Sequence, residues 1–296
     1  MSIIKKIKGC GPAIVTPFTE NGEIDVVALK RLVDFQIKGG IDFIVPCGTT
    51  GESVTLSQEE SLLVVETVIQ KVDKKIPVIA GAGGYNTEHV IQTAKAMQQV
   101  GANAILSVAP YYNKPTQEGL YQHFKTIAES IGIPIILYNI PSRTGINIFP
   151  ETVLRLAEID NIIAIKEATG NISQMTQQAM IYPDYFIILS GDDANTLPLI
   201  ALGARGVISV AANEIPDKMR QLTHLCLEGE FESARALQKQ IYPLLKANFL
   251  ETNPIPVKAA LAMMGLIEES YRLPLVPMNQ DCRKTLAKVL KDMALI

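Results

Sequence analysis

Ile162-Ile-Ala-Ile-Lys-Glu-Ala-Thr-Gly170 is a short apolar run, rich in β-branched residues, that breaks at a lysine and passes into a loop. Seven further runs share its character: Ala13–Thr16, Ile41–Val45, Val78–Ala80, Ala104–Val108, Ile135–Tyr138, Phe186–Leu189 and Gly206–Val210. They do not alternate apolar with polar residues, and unalternated runs are what parallel strands show when both faces are covered. Between successive runs there is room for one helix, so the pattern reads as a βα unit repeated eight times with right-handed crossovers.

The intervening stretches carry helix punctuation. Ser57-Gln-Glu-Glu60 fits a capping box, and Leu62, Val65, Val68 and Ile69 follow at helical spacing. Asp25 and Thr87 are expected N-caps, and Pro150 and Pro216 suit a first helical turn. Gly39-Gly40, Gly101, Gly132 and Gly203 stand where helix should give way to strand, each able to take the left-handed conformation. After residue 224 the strand runs stop. Three helical stretches are expected there: Phe231–Leu250, Ile255–Ile267 and Arg283–Leu295, the last with a stripe of Leu286, Val289, Leu290 and Met293. The expected architecture is α/β, a (β/α)8 barrel over residues 1–224 followed by a three-helix region over 225–296. A doubly wound open sheet is the alternative, but the first strand leads into Thr16-Pro-Phe-Thr-Glu-Asn-Gly22, which lacks a Gly-rich phosphate turn.

Composition narrows the function classes. The 296 residues are 48% hydrophobic and 19% charged, with 27 Lys and Arg against 30 Asp and Glu, a net charge of −3. That balance argues against nucleic acid or an anionic membrane as the main partner. Cys10, Cys47, Cys226 and Cys282 are widely spaced and read as reduced thiols. The opening Met1–Gly9 has lysines but no apolar core of a secretory signal, and no apolar run approaches the roughly 18 residues of a membrane span. A cytoplasmic protein is the expectation.

A barrel of this type works at the carboxyl ends of its strands. That rule selects Gly48-Thr-Thr-Gly51, Tyr111-Tyr112, Tyr138-Asn-Ile-Pro-Ser-Arg-Thr-Gly145, Lys166-Glu167 and Ser190-Gly-Asp-Asp193. Lys166 sits at the mouth of a packed barrel, where burial disfavours a charged ammonium, and a neutral amine can form a Schiff base with a ketone or aldehyde. The same lysine could instead be half of a structural ion pair with Glu167. Tyr138 could relay protons beside it, although a buried tyrosine alone is more simply a core aromatic. Backbone donors of the Thr49–Thr50 turn could cradle a small anion, or the turn could serve backbone geometry only. Arg143 could clamp a carboxylate or be a solvated charge. His89, His123 and His224 lack metal-ligand spacing, Gly81-Ala-Gly-Gly84 lacks dinucleotide spacing, and Asp192-Asp193 has no companion ligands, so no metal, nucleotide or other cofactor is expected.

Gly48-Thr-Thr-Gly-Glu-Ser53, Tyr111-Tyr112, Tyr138–Gly145 and Ile163-Ala-Ile-Lys-Glu-Ala168 together resemble dihydrodipicolinate synthase, of the pyruvate-dependent class I aldolase group that includes N-acetylneuraminate lyase. The likeness runs from about Gly9 to the C-terminus and takes in Asn253-Pro-Ile-Pro-Val-Lys258. It implies condensation of pyruvate with aspartate 4-semialdehyde in lysine biosynthesis by a homotetramer. Lys166 would carry the Schiff base, and Thr49 and Thr50 would hold the pyruvate carboxylate. Tyr138, Thr50 and Tyr112 would relay protons, with Tyr112 reaching in from a neighbouring subunit. Arg143 would hold the semialdehyde, and Gly191 and Ile208 match positions lining the same pocket. The sialic-acid lyase branch resembles this chain less: its turn usually reads Gly-Ser-Thr-Gly-Glu, and it lacks the arginine found here as Arg143. A sugar-acid aldolase, or a non-catalytic small-acid binder on the same barrel, are the other readings. Relatives inhibited by lysine commonly have histidine in the helix after the threonine turn, where this chain has Gln58 and Ser61, and an asparagine and a glutamate after strand three, where it has Tyr85 and His89. Ser53 and Tyr111 are retained. Weak or absent lysine inhibition is therefore expected.

Overall fold

The computed structural model describes residues 7–296, so the first six residues of the Met1–Gly9 reading lie outside the described ones. In chain order the barrel comprises β1 (Gly9–Pro12), α1 (Val26–Lys38), α2 (Gln58–Val72), β2 (Ile79–Gly81), α3 (Thr87–Gln99), β3 (Ala104–Val108) and α4 (Gln117–Ser130). It continues with β4 (Ile135–Asn139), the short α5 (Pro141–Thr144), α6 (Pro150–Leu156), β5 (Ile162–Glu167), α7 (Ile172–Ile181), β6 (Ile187–Ser190), α8 (Thr196–Ala201), β7 (Gly206–Ser209) and α9 (Pro216–Leu227). Then come α10 (Phe231–Ala247), α11 (Ile255–Met263) and α12 (Gln280–Asp292).

The strands form one parallel sheet in the order β1-β7-β6-β5-β4-β3-β2. It closes through the expected second strand. Residues 41–45 form no regular ladder, because Pro12, Pro46 and Pro77 remove donors around them. The segment still bridges both edges, Val45 to Ala13 and Ile44 to Val78, in parallel. Asp42 and Val45 N–H donate to the carbonyls of Cys10 and Pro12, and Ile44 N–H to that of Pro77. The α/β barrel with C-terminal helices is thus the fold, with seven regular strands and one bridging segment among the described residues.

The first strand lies earlier than expected, at Gly9–Pro12 rather than Ala13–Thr16. Glycine makes this possible. A Cβ on Gly206 would fall 2.0 Å from the Gly9 carbonyl oxygen, and one on Gly11 would fall 2.2 Å from the Phe43 ring. Beyond Ala13 the chain leaves the ladder, and Val15 N–H donates to Asn213 Oδ1.

Two apolar layers result. Phe43, Val45, Ile79, Leu106, Ile136, Tyr138, Leu189 and Ile208 belong to the cluster inside the barrel. A larger cluster joins the strands' outer faces to the helices and includes Leu286 and Leu290 of α12. Ser57 and Glu60 form the expected capping box, and Asp25 caps α1. Thr87 does not cap α3: Asn86 accepts from the N–H groups of Glu88 and His89, and Thr87 is the first helical residue, its hydroxyl 2.8 Å from His123 Nδ1. Gly40, Gly101 and Gly203 are left-handed, whereas Gly39 is right-handed and α4 ends on extended Ile131 without a left-handed Gly132. No helix among the described residues is long and apolar enough to cross a membrane.

Candidate active site

Lys166 lies within β5, not just beyond it, in register with Tyr138 of β4 and Leu189 of β6. Side chains alternate across a strand, so Lys166 follows Ala164 to the barrel interior while Glu167 points outward. Out there Glu167 accepts from Gln178 Nε2 at 2.6 Å, Asn139 Nδ2 at 3.3 Å and the Thr169 N–H at 2.7 Å. This separates the two readings of Lys166. Its sequence neighbour is engaged with α7, and among the described residues no carboxylate forms an ion pair with the Lys166 amine. Lys166 is 5% exposed, and its amine sits 4.1 Å from the centroid of the Tyr138 ring.

Gly191 makes space for that amine. Its N–H donates to the Glu167 carbonyl, and an added Cβ would lie 3.1 Å from Lys166 Cε and 2.7 Å from the Ala168 methyl. Ile208 is buried on β7 in the interior cluster.

The threonine turn follows the bridging segment. Cys47 is left-handed (φ 56°), as is Glu52 (φ 53°). The N–H groups of Gly51 and Glu52 close onto the carbonyls of Gly48 and Thr49, and the Thr16 hydroxyl donates to the Gly51 carbonyl at 2.7 Å. Among the described residues the N–H groups of Thr49 and Thr50 have no acceptor, which leaves two adjacent donors for a small anion. Burial pushes the Cys47 thiol up to about 12, so it stays protonated and unreactive.

A cavity of about 230 Å³ opens beside this turn. Thr49, Ser53, Leu106, Tyr111, Tyr138 and Arg143 are among its lining residues; Lys166, Thr50, Gly191 and Ile208 are not. Arg143 stands exposed on α5 and donates to the Asn253 carbonyl at 2.9 Å. Tyr112 is not brought to the site by its own chain: it is left-handed (φ 68°) and 92% exposed, while Tyr111 lines the cavity against the edge of Tyr85.

Three structural supports escaped the sequence reading. Gly81 is one: a Cβ there would lie 1.9 Å from the Cys47 carbonyl oxygen, so only glycine lets the turn pack over β2. Asn253 is another, donating to Thr50 Oγ1 at 2.9 Å from 203 residues away. Lys258 is the third, fully buried, 2.5 Å from Glu52 Oε1 and 4.3 Å from the Phe18 ring centroid. Burial pushes the Lys258 ammonium down, and the Glu52 carboxylate opposes that shift. Pairs this far apart in sequence leave no spacing signal. The shared Asn-Pro-Ile-Pro-Val-Lys motif was the only available pointer.

The model of the dihydrodipicolinate synthetase family matches residues 6–293. The chain belongs to the dihydrodipicolinate synthetase family. It is 54% identical over 289 residues to the 4-hydroxy-tetrahydrodipicolinate synthase of Syntrophus aciditrophicus, covering 98% of this chain and 99% of that one. The crystal structure of dihydrodipicolinate synthase from Aquifex aeolicus superimposes with a TM-score of 0.96 at 46% identity, covering 98% and 99% of the two chains. That of the chloride-inhibited enzyme from Acinetobacter baumannii, complexed with pyruvate, gives 0.97 at 44%, covering 98% and 100%. The family resemblance, the barrel with C-terminal helices and the enzyme class read from sequence agree with these matches. The sialic-acid and sugar-acid alternatives gain no support from them.

Proposed function

We propose that this chain condenses pyruvate with L-aspartate 4-semialdehyde to 4-hydroxy-tetrahydrodipicolinate, a lyase-type reaction of the diaminopimelate route to lysine, without a cofactor. The observation that carries the reading is a buried lysine at the barrel mouth, against Tyr138, with no ion-pair partner among the described residues.

Lys166 Nζ attacks the keto carbon of pyruvate, whose carboxylate rests on the free N–H groups and hydroxyls of Thr49 and Thr50. Tyr138, with Thr50, delivers a proton to the carbinolamine oxygen, which leaves as water. The iminium withdraws electrons from the adjacent methyl, so a proton is lost and the enamine carbon attacks the aldehyde. The semialdehyde amino group then attacks the iminium carbon and expels Lys166, closing the ring with net loss of one water. Arg143, exposed at the cavity, is suited to the semialdehyde carboxylate. The space left by Gly191 and the apolar wall including Ile208 favour a small keto acid.

Tyr112, exposed and held away from its own cavity, is read as serving a neighbouring copy in a homotetramer. The protein is read as cytoplasmic, with neither nucleic acid nor membrane as partner. The test is a coupled assay offering pyruvate with aspartate semialdehyde beside a cleavage assay on N-acetylneuraminate. Turnover in the first and none in the second is expected, with little effect of added lysine. Sialic-acid cleavage alone contradicts the reading, and potent inhibition at submillimolar lysine contradicts its regulatory part.

A further inference from the structure

The side chains of β5 do not alternate cleanly. Ile162 and Ile165 belong to the layer outside the barrel, whereas Ile163 and Ala164 both belong to the interior cluster. The pairing with β4 shows why. Ile135 lies opposite Ile162 but Ile136 lies opposite Ala164, so Ile163 is one extra residue, a β-bulge. Had the first register continued, Tyr138 would pair with Ile165, and strict alternation from Ile163 would turn Lys166 outward to the helices. The extra residue sends Lys166 inward, opposite Tyr138. The next pair in the ladder is Asn139 opposite Glu167, and their side chains join on the outer face. Asn139 Nδ2 donates to Glu167 Oε2 at 3.3 Å. The orientation of that amide is fixed, because its Oδ1 accepts from the Ile148 N–H at 3.0 Å. Gln178 Nε2 donates to the same Glu167 oxygen at 2.6 Å, and the Thr169 N–H donates to Oε1 at 2.7 Å. Glu167 is fully buried and has no ion-pair partner among the described residues, so these neutral donors are what hold its carboxylate.

We propose that Asn139 and Glu167 are positioning residues: their pair on the outer face holds the one-residue offset of β5 against β4, and so keeps the Lys166 amine inside the barrel against Tyr138. This deepens the function proposed above and rests on it. Glu167→Gln keeps the shape, but a carboxamide has one acceptor oxygen where the carboxylate has two. Its nitrogen must then face a donor, either the Thr169 N–H or the Gln178 and Asn139 amides, and the pair loosens. A misplacement of about 1 Å at reacting groups can cost on the order of 100-fold in rate.

The test is the rate of imine formation with pyruvate, sampled by rapid borohydride quench and read by mass spectrometry, which needs no second substrate. Glu167→Gln is expected to slow imine formation by about 10- to 100-fold, with the half-saturating pyruvate concentration nearly unchanged, because the threonine turn lies on other elements. In a Tyr138→Phe background the same substitution should slow it by less than about threefold, because the hydroxyl placed against the amine is already gone. A merely structural loss would be the same in both. Equal losses in the two backgrounds, or undiminished imine formation in Glu167→Gln, overturn the proposal. If Glu167→Gln does not fold, Asn139→Ser, which withdraws the β4 donor, is judged by the same criterion. The unaltered protein separates the levels: no adduct there overturns the functional reading and this proposal together, whereas an adduct with equal losses overturns this proposal alone.

Discussion

Lys166 and Glu167 are neighbours in sequence yet belong to different layers, because a strand sends successive side chains to opposite faces. Burial acts on two other residues in opposite senses. His123, buried on α4 against the Thr87 hydroxyl, is pushed down to about 4 by desolvation. An unfolded histidine titrates near 6.5, so between about 6.5 and 4 only the unfolded chain takes up this proton, and stability falls as pH falls. Asp193 is pushed up to about 6 by burial, against the pull of hydrogen bonds from Ser209 and the Ala211 and Val210 N–H groups. It takes up a proton in the folded chain before the unfolded value of about 3.9, so its contribution rises as pH falls through 6. Urea unfolding at pH 7 and 4.5 should therefore show His123→Gln less acid-sensitive than the unaltered protein and Asp193→Asn more so. Slopes that change in the same direction would contradict this assignment.

At the scale of elements, the threonine turn keeps its place through backbone approach as much as through side chains. Gly81→Ala should destabilise the protein by more than about 2 kcal/mol, as overpacking against backbone does, and lower turnover, because its Cβ meets the Cys47 carbonyl. Gly48→Ala, with nothing within 4 Å of the added Cβ, should cost under about 1 kcal/mol. Denaturant midpoints of the two variants check the contrast, and equal midpoints would contradict it. What was legible in the sequence follows the same division. β3 to β7, the Ser57 capping box and the α12 stripe could be read because their determinants are local. The first strand was misplaced because Gly9-Cys-Gly-Pro12 is a strand by virtue of what lies across from it, Gly206 and Phe43. The groups proposed to react stand at or near strand ends and could be proposed from the sequence, whereas Gly81, Asn253 and Lys258 matter through partners far along the chain.

At the scale of the whole molecule, the C-terminal helices brace the barrel mouth. Asn253 and Lys258 hold the threonine turn, and Arg272 reaches Glu60 and the carbonyls of Thr55 and Gly22. The bracing has a chemical point only if the amine at the centre of the mouth reacts. Mass spectrometry after borohydride reduction in the presence of pyruvate measures that directly. One pyruvate-derived addition, located on Lys166 and lost in Lys166→Ala, is the predicted result; folded protein carrying no addition at Lys166 would contradict the account.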